Sequence, residues 1–190
     1  VIILISGPQG SGKTTLAKGL VNKINRVPSV YAYDMTFAEP LYQMHNFCWG
    51  YLKDHGFEMP FIKDGYLLQL LGTEWGRDRI DPDIWVKLMK ARIAKYLAEG
   101  PGNFTKHFII SDCRFRNEFD AFSEDCFKVC LVCDREDRRK RVEMWRETEN
   151  HPSEIDLVGY ANDGKFDCYI HTGLLTAEES LEELCKQIKL

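Results

Sequence analysis

Two spacings of apolar residues alternate along the chain. VIILIS, residues 1–6, is an unbroken apolar run rich in β-branched side chains, as a strand covered on both faces requires. After a glycine-rich turn, Leu16, Leu20, Val21 and Ile24 recur at helical spacing and predict a helix from Lys13. SVYAYD (29–34), HFIIS (107–111) and FKVCLVC (127–133) read as further strands, and FDCYIHTG (166–173) as the last strand and its turn. Helical patterns lie between them. Thr36-x-x-Glu39 matches a capping box with Pro40 in the first turn, and Phe37, Leu41, Met44 and Cys48 carry that helix to about Trp49. Residues 50–63, with Gly50, Gly56 and Pro60, read as a mobile excursion. Leu67, Leu68, Leu70 and Leu71 predict a short helix before Gly72. Asp81-Pro82 reads as an N-cap and first helical residue, opening a helix that buries Trp85, Met89, Ile93 and Tyr96 or Leu97. A short helix near 117–123, a charged one over 135–149 and a C-terminal one beginning at TAEES complete the pattern.

Strands and helices alternate throughout, which predicts an α/β fold with a mainly parallel sheet flanked by helices. No linker or repeat divides residues 1–190, so they read as a single domain. One segment resists the pattern. LGTEWGRDRI, residues 71–80, is too polar for a core helix and too aromatic for an idle loop, and reads as the joint between two helices.

Composition narrows the function classes. Apolar residues make up 44% and charged residues 28%, as in an ordinary globular protein. The 25 basic and 29 acidic residues give a formal charge of −4, against the strong basic excess of a dedicated duplex-DNA binder. No apolar run is long enough to span a bilayer, and VIILIS is too short for a signal-peptide core, so a cytosolic protein without a membrane partner is expected. Seven cysteines, odd in number and irregular in spacing, read as reduced thiols. Cys130 and Cys133 flank a strand-like segment and point to opposite faces, so with Cys126 they make a poor zinc site.

The reaction class comes from Gly7-Pro8-Gln9-Gly10-Ser11-Gly12-Lys13-Thr14, a full G-x-x-x-x-G-K-[ST] match between a predicted strand and a predicted helix, with Thr15 following. Such glycines let backbone N–H groups turn inward around phosphate oxygens, aided by the partial positive charge of the helix N-terminus. Lys13 is expected to reach the β- and γ-phosphates of ATP, and the Thr14 hydroxyl to ligate Mg²⁺. Asp112 and Arg114 lie just beyond the carboxyl end of a predicted strand, where open α/β sheets bind ligands. Asp112 can organise Mg²⁺ through water and Arg114 can clamp a phosphate. The stretch from Arg135 to Glu149 mixes six basic residues with five acidic ones. A solvated helix accounts for that mixture, and so does a lid that brings arginines such as Arg138 and Arg141 over transferring phosphates. The GTPase signature N-K-x-D is missing, since Asn22-Lys23-Ile24-Asn25 lacks the acid.

Several blocks taken together, GPQGSGKTT, FAEPL, LLQLLGTEWGRDRIDPDIWVKL, FIISDCRFRNEFDA, HPSE and FDCYIHTG, resemble the phage-type deoxynucleoside monophosphate kinases in content and order. The resemblance implies an adenylate-kinase-like P-loop core, an acceptor-binding region over about 35–85 and a small lid over about 135–160, and Asp34, just before that region, is expected to bind substrate. It assigns Thr73, Trp75, Gly76 and Arg77 to the acceptor side, Asp112, Arg114, Asn117 and Glu118 to the strand-end motif, and Arg138 and Arg141 to the lid. It implies transfer of the ATP γ-phosphoryl group to a deoxynucleoside 5′-monophosphate in phage DNA synthesis, hence in the host cytoplasm, with a homodimer left open. The chain departs from the family at Arg116, where proline is frequent, and at HTGLLTAEES, where an Asn-Asp-Gly-Ser turn is usual. Two other readings stay open. A kinase acting on a hydroxymethyl pyrimidine in DNA needs a carboxylate base, with Asp34 and Asp112 as candidates. A non-catalytic ATP-binding module needs no acceptor at all.

Overall fold

A computed structural model describes residues 1–58, 63–99, 104–122, 126–143, 145 and 152–189. Among these, strands β1 (Ile2–Ser6), β2 (Val30–Met35), β3 (Thr105–Ile110), β4 (Cys126–Val132) and β5 (Cys168–His171) form one sheet in the order β2-β3-β1-β4-β5. Every pairing is parallel, with Ile3 of β1 opposite Ile109 on one side and Phe127 on the other.

Alternation along β1 feeds two cores. Ile3 and Ile5 pack with Leu16, Leu20 and Ile24 of helix α1 (Lys13–Ile24) and Leu184 of the C-terminal helix α9 (Ala177–Gln187). Leu4 points the other way, into a core shared by Met35, Phe108 and Ile110 with Trp85 and Met89 of α4 (Ile84–Ala98) and Phe119 of α5 (Arg116–Asp120). Burying each such side chain stabilises the fold by roughly 1.5–3 kcal/mol, and covering both faces explains why β1 carries no polar alternation. Three layers result, helices on sheet on helices. Among the described residues no helix is long and apolar enough to cross a membrane.

Helix starts differ from the sequence expectation for tertiary reasons. The Thr36/Glu39 capping box does not form: α2 (Glu39–Asp54) has Ala38 at its N-cap with no side-chain cap. Glu39 pairs instead with Arg92, and the N–H groups of Phe37 and Ala38 are taken by the Asp112 carboxylate. Helix α4 begins at Ile84, two residues after Pro82, while Asp81 still accepts from the Asp83 N–H at 2.8 Å, the contact expected of a capping residue, and pairs with Lys87. The expected excursion at 50–63 starts as helix, since α2 runs on to Asp54; residues 59–62 lie outside the described residues. Asp64 then caps α3 (Gly65–Gln69), accepting from the N–H groups of Tyr66 and Leu67. In the charged segment only α6 (Arg135–Lys140) is helical among the described residues, and 144 and 146–151, which include Arg146, Glu147 and Glu149, lie outside them. The short helices α7 (Pro152–Ile155) and α8 (Val158–Asn162) follow. Helix α5 ends at Asp120, with residue 123 of its expected span outside the described residues.

The largest departure is at the polar, aromatic joint. Leu70–Ile80 is an eleven-residue π-helix that continues directly from α3. Such helices are usually single-turn bulges. Here the wide turn wraps the side of Trp85, whose indole N–H donates to the Gly72 carbonyl oxygen at 2.8 Å and which is 2% exposed. Gly76 faces the same ring, and a Cβ there would stand 2.7 Å from the Leu71 carbonyl oxygen and collide with the indole. Gly76→Ala is therefore expected to destabilise the protein by about 1–3 kcal/mol, read as a lower urea midpoint with unchanged far-ultraviolet circular dichroism. Unchanged stability would mean that the π-helix does not pack on Trp85.

Candidate active site

Parallel pairing puts the carboxyl ends of β1, β2 and β3 on one edge of the sheet, and the residues that follow them line one cleft. From β1 comes the loop 7–12, which leads into the first turn of α1. Gly10 has φ 77°, and a Cβ there would press on the Arg138 carbonyl oxygen at 2.9 Å, so both backbone shape and contact require glycine. Lys13 is buried and folds over the loop, donating from Nζ to the carbonyl oxygens of Gly7 and Pro8 at 2.7 and 2.8 Å. Burial first, and the neighbouring Arg114 charge second, lower its pKa to about 8.

From β3 come Ser111, Asp112 and Arg114. Asp112 accepts from the Phe37 and Ala38 N–H groups at 2.8 and 3.0 Å, tying the end of β3 to the segment after β2. Burial raises its pKa, and those two hydrogen bonds oppose the rise. Arg114 pairs through Nη1 with Glu154 of α7, whose other carboxylate oxygen accepts from the Gln9 N–H at 2.9 Å.

The π-helix supplies the far wall. Its Thr73 and Arg77, with Gln69 at the end of α3, recur every four residues along the cleft, while Gly72 and Gly76 are buried. Arg77 donates from Nη2 to Glu118 at 2.7 Å and its guanidinium lies 4.1 Å from the Phe115 ring centroid. The Glu118 carboxylate also accepts from the N–H groups of Arg114 and Phe115 at 2.8 and 3.2 Å, so one buried acid fixes both arginine-bearing segments. Burial, and then the nearby Asp112 charge, raise the Glu118 pKa to about 7.

The cleft encloses about 720 Å³ and is lined by Lys13, Thr14, Thr73, Arg77, Asp112, Arg114 and Glu118 among the residues named from sequence, with Gln9 at its edge. Other named residues stand elsewhere. Asn117 ties α5 to the start of α4, donating to the Pro82 carbonyl and the Asp83 carboxylate at 3.2 and 2.9 Å. Asp34, near Lys18 and Glu39, and Trp75, 38% exposed, are not among the cleft's lining residues. Arg138 donates to the Gln9 carbonyl oxygen at 3.0 Å, and Arg141 to the Thr172 carbonyl oxygen at 2.7 Å, so both are bound to backbone rather than aimed into the cleft.

A second cavity of about 260 Å³ lies across the N-terminus of α1, lined by Ser11, Gly12, Thr15, Arg141, Thr172 and Ser180 among others. Ser11 and Ser180, whose hydroxyl oxygens are buried without a hydrogen-bond partner, stand on its lining. Sequence reasoning assigned no role to Ser180, nor to Glu154, although the HPSE block contains the latter. It also missed Tyr42 and Lys63, which line the cleft hydrogen-bonded to each other at 2.6 Å.

Thr14 and Asp112 present one hydroxyl and one carboxylate to the same cleft. These are hard oxygen donors of the kind that suit Mg²⁺ completed by water and phosphate oxygens. Among the described residues no group of three or more His, Cys, Asp or Glu side chains could hold a metal by itself.

No family model and no curated protein sequence matches the chain. Solved structures do. TT1252 from Thermus thermophilus aligns over 100% of this chain and 96% of its own, at 16% identity and a TM-score of 0.59. Shikimate kinase from Bacteroides thetaiotaomicron aligns over 100% and 99%, at 14% identity and a TM-score of 0.53. The likeness is one of fold: the chain has the α/β architecture of P-loop kinases, with a five-stranded parallel sheet flanked by helices.

Proposed function

We propose that the protein is an ATP-dependent phosphotransferase whose acceptor is a deoxynucleoside 5′-monophosphate. The observation that carries this reading is one cleft with cationic groups at both ends, Lys13 on the P-loop and Arg77 on the π-helix, and Arg114 in the same cleft. An acceptor that is already anionic needs alignment and charge neutralisation rather than a strong base. Neither carboxylate suggested as a base for a hydroxyl acceptor is well suited: Asp34 is outside the cleft, and Asp112 is engaged by two N–H groups. That favours a phosphate acceptor over a hydroxymethyl pyrimidine.

In this reading the 7–12 loop and Lys13 hold the donor phosphates, and Lys13 exchanges its two carbonyl partners for phosphate oxygens. Arg77 holds the acceptor phosphate, oriented by Glu118 and by stacking on Phe115. Arg114 neutralises charge where the two phosphates meet. Gln69, Thr73, Tyr42 and Lys63 offer polar contacts to the acceptor nucleoside, and the second cavity, beside the first turn of α1, suits the donor nucleoside. Thr14 and Asp112 would hold Mg²⁺, which would supply charge neutralisation between the phosphates when bound.

A coupled ADP-release assay over deoxynucleoside monophosphates, with hydroxymethylated DNA as a separate acceptor, is expected to show turnover only with one or more monophosphates. Turnover with the DNA alone, or ATP hydrolysis indifferent to acceptor, would reject the reading. Lys13→Ala is expected to lower kcat by about 100-fold or more. Arg77→Met is expected to raise KM for the monophosphate about tenfold or more while leaving KM for ATP unchanged, and equal effects on both would remove Arg77 from the acceptor side.

Glu118 allows a test independent of turnover. Its folded pKa of about 7 lies above the unfolded value of ~4.3, so between the two the folded protein binds the extra proton. This group's contribution to stability therefore falls as pH rises through that window. Urea unfolding of Glu118→Gln should show its stability improving relative to wild type from about pH 5 to about pH 8. A pH-independent difference would exclude Glu118 as a titrating buried acid.

A further inference from the structure

One carboxylate in the cleft plays no part in the transfer described above. Glu154 reaches in from α7 with a side chain only 9% exposed, and both of its oxygens are used. Oε2 accepts from the Gln9 N–H of the P-loop at 2.9 Å. Oε1 pairs with Arg114 Nη1, which also donates to the Ser153 hydroxyl oxygen at 3.5 Å. A P-loop N–H and an arginine on one anion are the partners that a terminal phosphate would take.

We infer that Glu154 is a built-in phosphate surrogate: in the nucleotide-free protein its carboxylate occupies the seat of a donor phosphate, and a polyphosphate must displace it to bind. The inference rests on reading the P-loop as the donor-phosphate cradle. The physical reason for such a group is charge balance. Without Glu154, the Arg114 guanidinium would lose its paired carboxylate beside buried Lys13, leaving Asp112 as the remaining acid near both, and a partly desolvated cation deprived of its partner is costly. Glu154 satisfies both the cation and the loop N–H until phosphate arrives.

The point of attachment limits the motion. Two residues on, Asp156 accepts from the Arg116 N–H at 2.7 Å and its carbonyl accepts from Arg116 Nε at 3.0 Å, while Leu157 is buried in the core. Displacement therefore swings Glu154 and α7 about a fixed Asp156–Leu157 anchor and leaves α8 in place. A ligand that must displace a paired group binds with an affinity reduced by the fraction of protein in which the seat is free.

The test is isothermal titration calorimetry with Mg²⁺·ATP and, separately, inorganic pyrophosphate, on wild type and Glu154→Gln. The expected result is about tenfold or greater tightening of both ligands in the variant, because its neutral amide competes less well for Arg114. Equal or weaker binding in the variant would overturn the surrogate role while leaving the donor site intact. Absence of binding in both proteins would overturn the reading of the P-loop and the surrogate with it. A structure of the wild-type protein with pyrophosphate separates displacement from a general charge effect and does not depend on the variant folding. The Glu154 carboxylate is expected to have left the Gln9 N–H, and finding it still there beside the bound anion would refute the proposal.

Discussion

Parallel pairing of β1 with β3 on one side and β4 on the other is the constraint from which the site follows. It forces the chain leaving β1, β2 and β3 to emerge on the same edge, where covered strand faces give way to loops. The apolar alternation that fills two cores thus also collects Lys13, Phe37 and Asp112 on the lining of one cleft. No long-range search by flexible segments is needed to assemble them.

Once cations are gathered at such an edge, their desolvation must be offset, and carboxylates do this in three places. Asp112 braces the segment after β2, Glu118 braces Arg77 and the backbone of Arg114, and Glu154 braces the Arg114 side chain. Glu118 stands on α5, and Asp112, two residues past the end of β3, has both oxygens held by backbone N–H groups, so both can remain paired throughout a reaction cycle. The third sits on a four-residue helix and competes with phosphate chemistry directly. Rigidity and exchange are thus divided between acids of similar chemistry by what each is mounted on.

The strands, the P-loop motif and the strand-end place of Asp112 and Arg114 were legible because each rests on local pattern or on strand-end position, whereas Thr73 and Arg77 were placed beside them only by the family resemblance. Features decided by partners distant in sequence were not. Thr36 has the right spacing for a capping box, yet Asp112, seventy-five residues from Phe37, takes the nearby N–H groups and Arg92 takes Glu39. Asn117 sits in the same motif as Arg114 but one helical turn turns it toward Asp83. Arg138 and Arg141 occur where lid arginines are expected, and backbone carbonyls claim them here. The winding of residues 70–80 was hidden for a different reason: their apolar positions mark no strong face, and only Trp85, brought alongside by α4, gives the wide turn something to close around.

That winding makes chain length itself carry information. In an α-helix each residue advances ~100° and 1.5 Å, whereas an i→i+5 turn accommodates a longer chain over the same span. Loss of one residue between Leu70 and Ile80 would favour ordinary helix and rotate Arg77 away from Glu118 without altering a single side chain that touches ligand. The π-helical wall of the cleft can therefore diverge through insertions and deletions as readily as through substitution, and alignments that place a gap in this segment would report a change in the geometry of the cleft.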